Sequence, residues 1–526
     1  MRDFLQDNTS EKEGHIQSSL GVTELSVALH YTFDTPHDIL IWDVGHQAYV
    51  HKLLTGRKDA FHTNRQQKGL SGFTSRAESP YDPFGTGHSS TSLSAAAGFA
   101  LAQRIKATKS RQVVAVIGDG ALTGGMSFEA LNQIGEEVLD ILIILNDNKS
   151  SIDENRGALA QRDSYRHYFS SLGINYLGEC DGHELPSLLA NLETAKNTPG
   201  PRLLRVNTTK GQGRRTQVVR KKLVPGFQQV FAKTMTEVAQ NEERLVLISP
   251  AMLSGGGFGD FAGRFPDRCY DVGIAEQHAV TLAAGLAADG MLPVVHLYST
   301  FAQRAYDQVI HDVALQGLPV IFAIDRAGLV GADGSTHHGV FDPGFFNTIP
   351  NLRISAPATS RQLSGTLKRA VGAEVPCVIR FPKAQLSENL EQKQMREKAG
   401  DIFELQTGRR AVVFSFGAIA GQVQQAAEGL DMAHYQLNSL KPFPHDEVRR
   451  LGQESDRILT VEENSARGGL GDTLRASLAE SGIRKIVQSR SLPDQFIEHG
   501  SRDEQLAACQ LNAKSLRSFF TAALRH

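Results

Sequence analysis

Two short stretches hold the residue types that could grip a charged ligand: "VIGDGALTGG" (residues 116–125) and "ILNDNKSSID" (residues 144–153). Each runs a buried-looking strand into a polar loop. The loops offer hard oxygen donors, Asp119 in one and Asn146, Asp147 and Asn148 in the other. Ordinary turn chemistry is one reading, because Gly, Asp and Asn end strands in many proteins. A divalent cation holding a phosphate is the other. Mg2+ takes about six oxygen ligands in a nearly octahedral shell and usually shares them with substrate phosphates. Asp119 could give a carboxylate, Asn148 an amide oxygen and Ser150 its backbone carbonyl, with phosphate oxygens and a water completing the shell. Gly118 and Gly120 would let the backbone approach the phosphates closely. A bare GDG favours the turn; GDG paired with NDN at the end of a neighbouring strand favours the cation.

The elements that must position these loops follow a regular rhythm. "QVVAVIGDG", "LDILIILND" and "RLLRVNTTKG" are runs of Val, Ile and Leu that end in loops, with helical stretches such as "SSTSLSAAAGFALAQRIKA" and "MSFEALNQIGEEV" between them. That alternation predicts a parallel sheet covered on both faces. A second series ("RLVLISP", "RCYDVGIAE", "LPVVHLYS", "LPVIFAIDRAG", "PCVIRFP") and a third ("AVVFSFG", "HYQLNSL", "DRILTVEEN", "RKIVQSRSLP") repeat it. The breaks are polar: a basic, Gly-interrupted stretch at 209–222, read as an exposed linker, and a connector at 387–401. Three α/β domains are therefore expected, at about 1–215, 223–385 and 402–526. In open α/β sheets ligands gather beyond the carboxyl ends of the strands, where the oxygen-rich loops lie.

Bulk properties narrow the function classes. A chain of 526 residues exceeds a single core. With 40% hydrophobic and 21% charged residues it reads as globular, and a net charge of −2 gives no global reason to expect nucleic acid or an anionic membrane as partner. The four cysteines lie far apart without a CxxC, as expected of reduced thiols, and no apolar run approaches a membrane span. A cytoplasmic location is the expectation.

The loops also stand inside longer motifs. These are "WDVGHQAYVHKLLTGR" (42–57), "GTGHSSTSLSAAAG" (85–98), "GDGALTGGMSFEALN" (118–132), "VGIAEQHAVTLAAGLA" (272–287), "YSTFAQRAYDQVIHDVA" (298–314) and "AIDRAGLVGADGSTHHG" (323–339), with "TVEENSARGGLGD" (460–472) beyond them. In these the chain resembles the thiamine diphosphate enzymes, and within them most closely the 1-deoxy-D-xylulose-5-phosphate synthase family. The resemblance implies three doubly wound α/β domains of the transketolase-like thiamine diphosphate-binding type, with thiamine diphosphate and Mg2+ as cofactors. It implies pyruvate and D-glyceraldehyde 3-phosphate as substrates, and a homodimer.

Residue by residue, the resemblance puts the metal on Asp119, Asn148 and Ser150. Cofactor contacts fall to His46, Gly87, His88, Ser89, Gly120, Ala121, Asn148, Glu276 and Phe301. Glu276, in "GIAEQHA", matches the carboxyl that hydrogen-bonds the cofactor's pyrimidine; by itself it could equally be a first-turn helix charge. Proton transfer falls to Glu276, His15, His46 and His337, and substrate contacts to His15, Tyr298, Arg304, Arg326, Asp333 and Lys383. His30, His51, His62 and His434 carry no role.

The chain departs from the family in several places. Only "AQRDSYRH" joins "NRGAL" to "FSSLGINYLGECDGHE", where the family has a long insertion. Arg214 stands at a tyrosine position, Lys383 at an arginine position and Ser19 at a glycine position. These changes leave the cofactor chemistry intact and bear on active-site closure and acceptor affinity. Two rival functions remain: a transketolase-like ketol transferase, and a catalytically degenerate paralogue that keeps the fold as a binding module.

Overall fold

A computed structural model describes residues 1–9, 15–107, 111–150, 155–161, 165–215 and 226–525. Part of the basic stretch, residues 216–222, lies outside them. The chain forms two compact units, residues 1–221 with 272–275, and residues 222–271 with 276–526.

The first unit is built on β1 (Ile39–Trp42), β2 (Val113–Gly118), β3 (Leu142–Asp147), β4 (Asn175–Asp181) and β5 (Arg202–Asn207), ordered β1-β2-β3-β5-β4 with every pairing parallel. Alternate residues of one strand serve opposite cores. Val113, Ala115 and Ile117 pack in one cluster, while Val114 and Val116 pack in the other. Both faces are covered by helices, which is why these strands read as unbroken apolar runs. In register, Trp42 lies opposite Val116, Gly118 opposite Asn146, and Asp147 opposite Asn207. The loops after β1, β2, β3 and β5 therefore leave the sheet along one edge.

The second unit holds two sheets. β6 (Leu245–Ser249), β7 (Cys269–Asp271), β8 (Leu292–Tyr298), β9 (Ile321–Asp325), β10 (Arg353–Ser355) and β11 (Cys377–Arg380) form a parallel sheet ordered β7-β6-β8-β9-β11-β10. The chain steps from β6 to one side and returns on the other. The loops after β6 and β8 thus diverge at the switch point where α/β sheets bind ligands. The other sheet is β12 (Arg396–Lys398), β13 (Ile402–Gln406), β14 (Ala411–Phe416), β15 (Met432–Leu437), β17 (Arg457–Ser465) and β18 (Val487–Leu492). Between β15 and β17 the chain lends one strand, β16 (Ser439–Lys441), to the neighbouring sheet, where it pairs antiparallel with β10.

The connector at 387–401, polar enough to read as a linker, is folded. Helix Glu388–Glu391 and β12 lie within it, and β12 pairs antiparallel with β13 through a turn in which Gly400 and Asp401 take positive φ (73° and 63°). Lys398 closes the hairpin on Glu404 at 2.9 Å. Its polar side chains are those of an edge strand. No helix among the described residues is long and apolar enough to cross a membrane.

Candidate active site

In the first unit the site grows from three strand ends. Gly118 ends β2 in extended conformation, and Asp119 opens the short helix Asp119–Leu122. The Asp119 side chain is 4% exposed. Burial, and then the neighbouring Asp147 carboxylate, push its pKa up to about 8. Asp147, the last residue of β3, is held in turn by Arg205 Nε at 2.8 Å. Asn146 is tied down by Gln47 (2.8 Å) and Thr208 (2.6 Å), so its amide locks the loop after β1 to the loop after β5. Asn148 follows with Lys149 at φ 59°, and its Oδ1 accepts from the Ser150 amide at 3.1 Å. Of the three candidates in NDN, one is therefore structural, one is paired with arginine, and Asn148 sits in the turn that faces outward.

The donor set fits a divalent cation. A buried carboxyl beside a second carboxylate is strained in a way that a cation relieves. Among the described residues there is no group of three or more His, Cys, Asp or Glu that could hold a metal. A cation here would thus depend on amide, carbonyl and phosphate oxygens as well as on Asp119. Lys210, which sequence reasoning passed over, adds a positive charge with Nζ 3.3 Å from Ser150 Oγ. Only its place in "TTKGQG", directly after β5, could have marked it.

The loop bearing Gly87, His88 and Ser89 is fixed from below. Asp43, buried at the end of β1, accepts from the amides of Ser90 (2.8 Å) and Ser92 (3.0 Å) and so anchors the start of helix Ser92–Lys106. Ser90 Oγ and Ser127 Oγ both donate to the Ala121 carbonyl, at 2.7 and 2.9 Å. Gly124 is required by this packing, since a Cβ there would lie 2.2 Å from Ser90 Oγ.

His15 and His46 come together with ring centroids 5.5 Å apart, edge to face. Burial, reinforced by His15, Lys210 and Arg65, pushes His46 down to about 3, so it is neutral at physiological pH. Its Nδ1 is enclosed without a hydrogen-bond partner. The Ser19 hydroxyl donates to the His46 carbonyl at 3.2 Å and so ties the two segments together.

Beneath His46, helix Tyr49–Lys52 is held by a buried polar network. His30 meets His51 at 2.9 Å, His51 meets Asp82 at 2.8 Å, Arg57 grips Asp82 with two nitrogens, and Lys52 reaches Glu78 at 2.5 Å. Burial drives His30 down to about 4. Arg214 is exposed and enters none of this.

The second unit carries the other candidates. Glu276 opens helix Glu276–Ala288 and is 3% exposed. Burial raises its pKa, partly offset by Arg304, whose Nη1 lies 3.9 Å from Oε2. That Oε2 has no hydrogen-bond partner, which fits a carboxyl awaiting a ring nitrogen.

At the switch point, Tyr298 stacks on Phe301 (5.8 Å), and Phe301 meets His337 edge-on (5.6 Å). His337 Nδ1 lies 2.8 Å from Thr336 Oγ1, whereas the adjacent His338 is buried on Val330 and Ile497 and pushed down to about 4 by burial. Asp333 precedes the short turn Gly334–Thr336. Arg326 lies over the Tyr298 ring at 4.0 Å, and Lys383 is exposed just beyond β11. A Cβ on Gly255 would lie 2.3 Å from the Tyr298 hydroxyl, so only glycine lets the loop after β6 pass there.

Comparison with known proteins supplies the family. Family models match along nearly the whole chain: "1-deoxy-D-xylulose-5-phosphate synthase" at 1–165 and 161–208, "Transketolase, pyrimidine binding domain" at 225–388 and "Transketolase, C-terminal domain" at 400–516. A transketolase from Campylobacter jejuni shares the fold, with TM-score 0.50 at 17% identity over 99% of this chain and 98% of its own. Fold and family models together define a transketolase-type thiamine diphosphate enzyme, with a divalent metal such as Mg2+.

A protein named 1-deoxy-D-xylulose-5-phosphate synthase from Paraburkholderia xenovorans is 43% identical over 99% of this chain and 93% of its own length. Another of that name, from Thioalkalivibrio sulfidiphilus, is 41% identical over 100% and 91%. The chain belongs to the 1-deoxy-D-xylulose-5-phosphate synthase family.

Proposed function

We propose that the enzyme decarboxylates pyruvate and transfers the remaining two-carbon unit to D-glyceraldehyde 3-phosphate, releasing CO2 and giving 1-deoxy-D-xylulose 5-phosphate, a precursor for isoprenoid, thiamine and pyridoxal phosphate synthesis. The observation that carries the reading is Glu276, a buried carboxyl with raised pKa and an unpartnered oxygen inside the family motif. When bound, thiamine diphosphate supplies the electron sink that loss of CO2 from a 2-keto acid requires.

In this reading Glu276 holds a proton toward the cofactor's pyrimidine nitrogen. Asp119, Asn148 and the Ser150 carbonyl hold Mg2+. His46, Gly87, His88, Ser89, Gly120, Ala121 and Phe301 seat the cofactor. His15 and His337 exchange protons with substrate, and neutral His46 stays available as an acceptor. Tyr298, Arg304, Arg326, Asp333 and Lys383 receive the substrates.

The reading divides the chain at 1–215, 223–385 and 402–526 and takes the enzyme as a cytoplasmic homodimer. Cysteines 180, 269, 377 and 509, all unpaired, support a reducing compartment. Incubation with pyruvate and D-glyceraldehyde 3-phosphate should release CO2 and form the product. A ketol transferase would instead need a sugar phosphate donor and release no CO2, and a degenerate paralogue would do neither. Light scattering that found an active monomer would remove the dimer.

A further inference from the structure

Asp325, the last residue of β9, is buried and its carboxylate is saturated. His296 Nε2 lies at 3.2 Å, Gln228 Nε2 at 2.7 Å and the Arg326 amide at 2.6 Å, and the Arg326 guanidinium adds Nη1. A carboxylate only accepts, so His296 Nε2 carries the proton and donates it. His296 Nδ1 lies 3.2 Å from the Ser249 hydroxyl on the neighbouring strand β6. Ser249, His296 and Asp325 are each 0% exposed, so the serine meets no substrate and the trio is not a nucleophilic triad.

The chain of bonds ends on Arg326, whose guanidinium is held on three sides. Asp325 takes Nη1, the Gly255 carbonyl takes Nη2 at 3.1 Å, and the Tyr298 ring lies 4.0 Å beneath the plane. Its backbone sits at φ 56°, a left-handed conformation that a non-glycine residue adopts at a cost. Pairing with Asp325 offsets its charge, so a net positive field is not what this arrangement provides. It provides orientation.

We propose that Ser249, His296 and Asp325 form a positioning relay that fixes the plane of the Arg326 guanidinium, so that its outward N–H groups meet the acceptor's phosphate in one geometry. The inference rests on the reading of Arg326 as the phosphate-binding arginine. The relay fixes the arginine before substrate arrives and so lowers the ordering cost of binding. It acts on the acceptor and leaves pyruvate alone.

The test is steady-state kinetics of the cofactor-loaded enzyme with both substrates varied. His296→Phe keeps the ring, which packs against Phe258 at 5.0 Å, but removes the donor and acceptor. It should raise the acceptor KM roughly five- to thirty-fold and leave the pyruvate KM unchanged. His296→Gln, which can still donate to Asp325, should return the acceptor KM close to the wild-type value. In an Arg326→Ala background, His296→Phe should add no further rise. If His296→Phe does not accumulate as folded protein, Asp325→Asn, which keeps the shape and loses the charge, should show the same split. Equal changes in both KM values, no rescue by glutamine, or full additivity with Arg326→Ala would overturn the relay. An unchanged acceptor KM in Arg326→Ala alone would instead overturn the phosphate reading on which it rests.

Discussion

Glu276→Gln should make the enzyme worse and the cofactor-free protein more stable. The carboxyl sits in a site 3% exposed with one oxygen unpartnered, so the charged form is poorly solvated. Arg304 at 3.9 Å opposes this with an attraction on the order of 4 kcal/mol at an effective dielectric of about 20. The pKa is nonetheless raised, so burial outweighs the arginine. A carboxyl whose folded pKa lies above its ordinary 4.5 favours folding below that value, and the benefit is lost as pH rises through the folded pKa. Glutamine cannot ionise. The variant should therefore match wild type near pH 4 and exceed it at pH 8, by about 1.4 kcal/mol for every tenfold that burial weakens the acid. Turnover should fall about 100- to 10,000-fold, the span associated with loss of a positioned acid–base group. Thermal unfolding of the cofactor-free proteins between pH 4 and 8, paired with CO2 release by the loaded enzymes, reads both quantities. A variant less stable than wild type at pH 8, or one that keeps full turnover, refutes the reasoning.

Asp119→Ala should abolish cofactor binding by calorimetry without lowering the unfolding temperature of the cofactor-free protein, because it removes a buried carboxyl that Asp147 repels. Arg326→Ala should raise the acceptor KM about 10- to 150-fold, the equivalent of one charge-assisted hydrogen bond of about 1.5–3 kcal/mol, with the pyruvate KM unchanged. Lys383→Arg should lower the acceptor KM, since a planar fork binds phosphate at two points where an ammonium binds as a point charge; an unphosphorylated aldehyde serving equally well would count against both assignments. Asp82→Ala should cost about 1–3 kcal/mol in chemical denaturation, because it removes the carboxylate shared by buried His51 and Arg57 beneath the His46 loop and leaves Arg57 only Glu78 and Thr55.

Much of the architecture is legible in the sequence because β2, β3 and β5 are buried on both faces and must be apolar throughout. Strands without that constraint escape notice. β4 is mostly exposed or half-exposed, and β12 and β16 are three residues long, β12 wholly charged, too short for a periodic pattern. The site divides the same way. GDG and NDN signal their loops, but composition cannot tell which of Asn146, Asp147 and Asn148 faces outward. That depends on Gln47, Thr208 and Arg205, which arrive from other strands. The two neighbours His337 and His338 are likewise indistinguishable on paper; only the fold buries the second. Ser19 reads as a departure until the His46 carbonyl appears beside its hydroxyl.

The loan of β16 to the neighbouring sheet sets where this protein could be divided by a gene split or a domain shuffle. Ile354 and Ser355 of β10 pair with Lys441 and Ser439, and Lys441 also caps the carbonyls of Asn347 and Ile349. A product ending near residue 400 would lose that covering strand and present β10 as a bare edge, open to pairing with other chains. A cut near residue 221 crosses no shared strand and yields two polypeptides that each keep their sheets complete. Such a cut would still part residues 272–275 from the first unit to which they belong, so the sheets divide cleanly at 221 while the units do not.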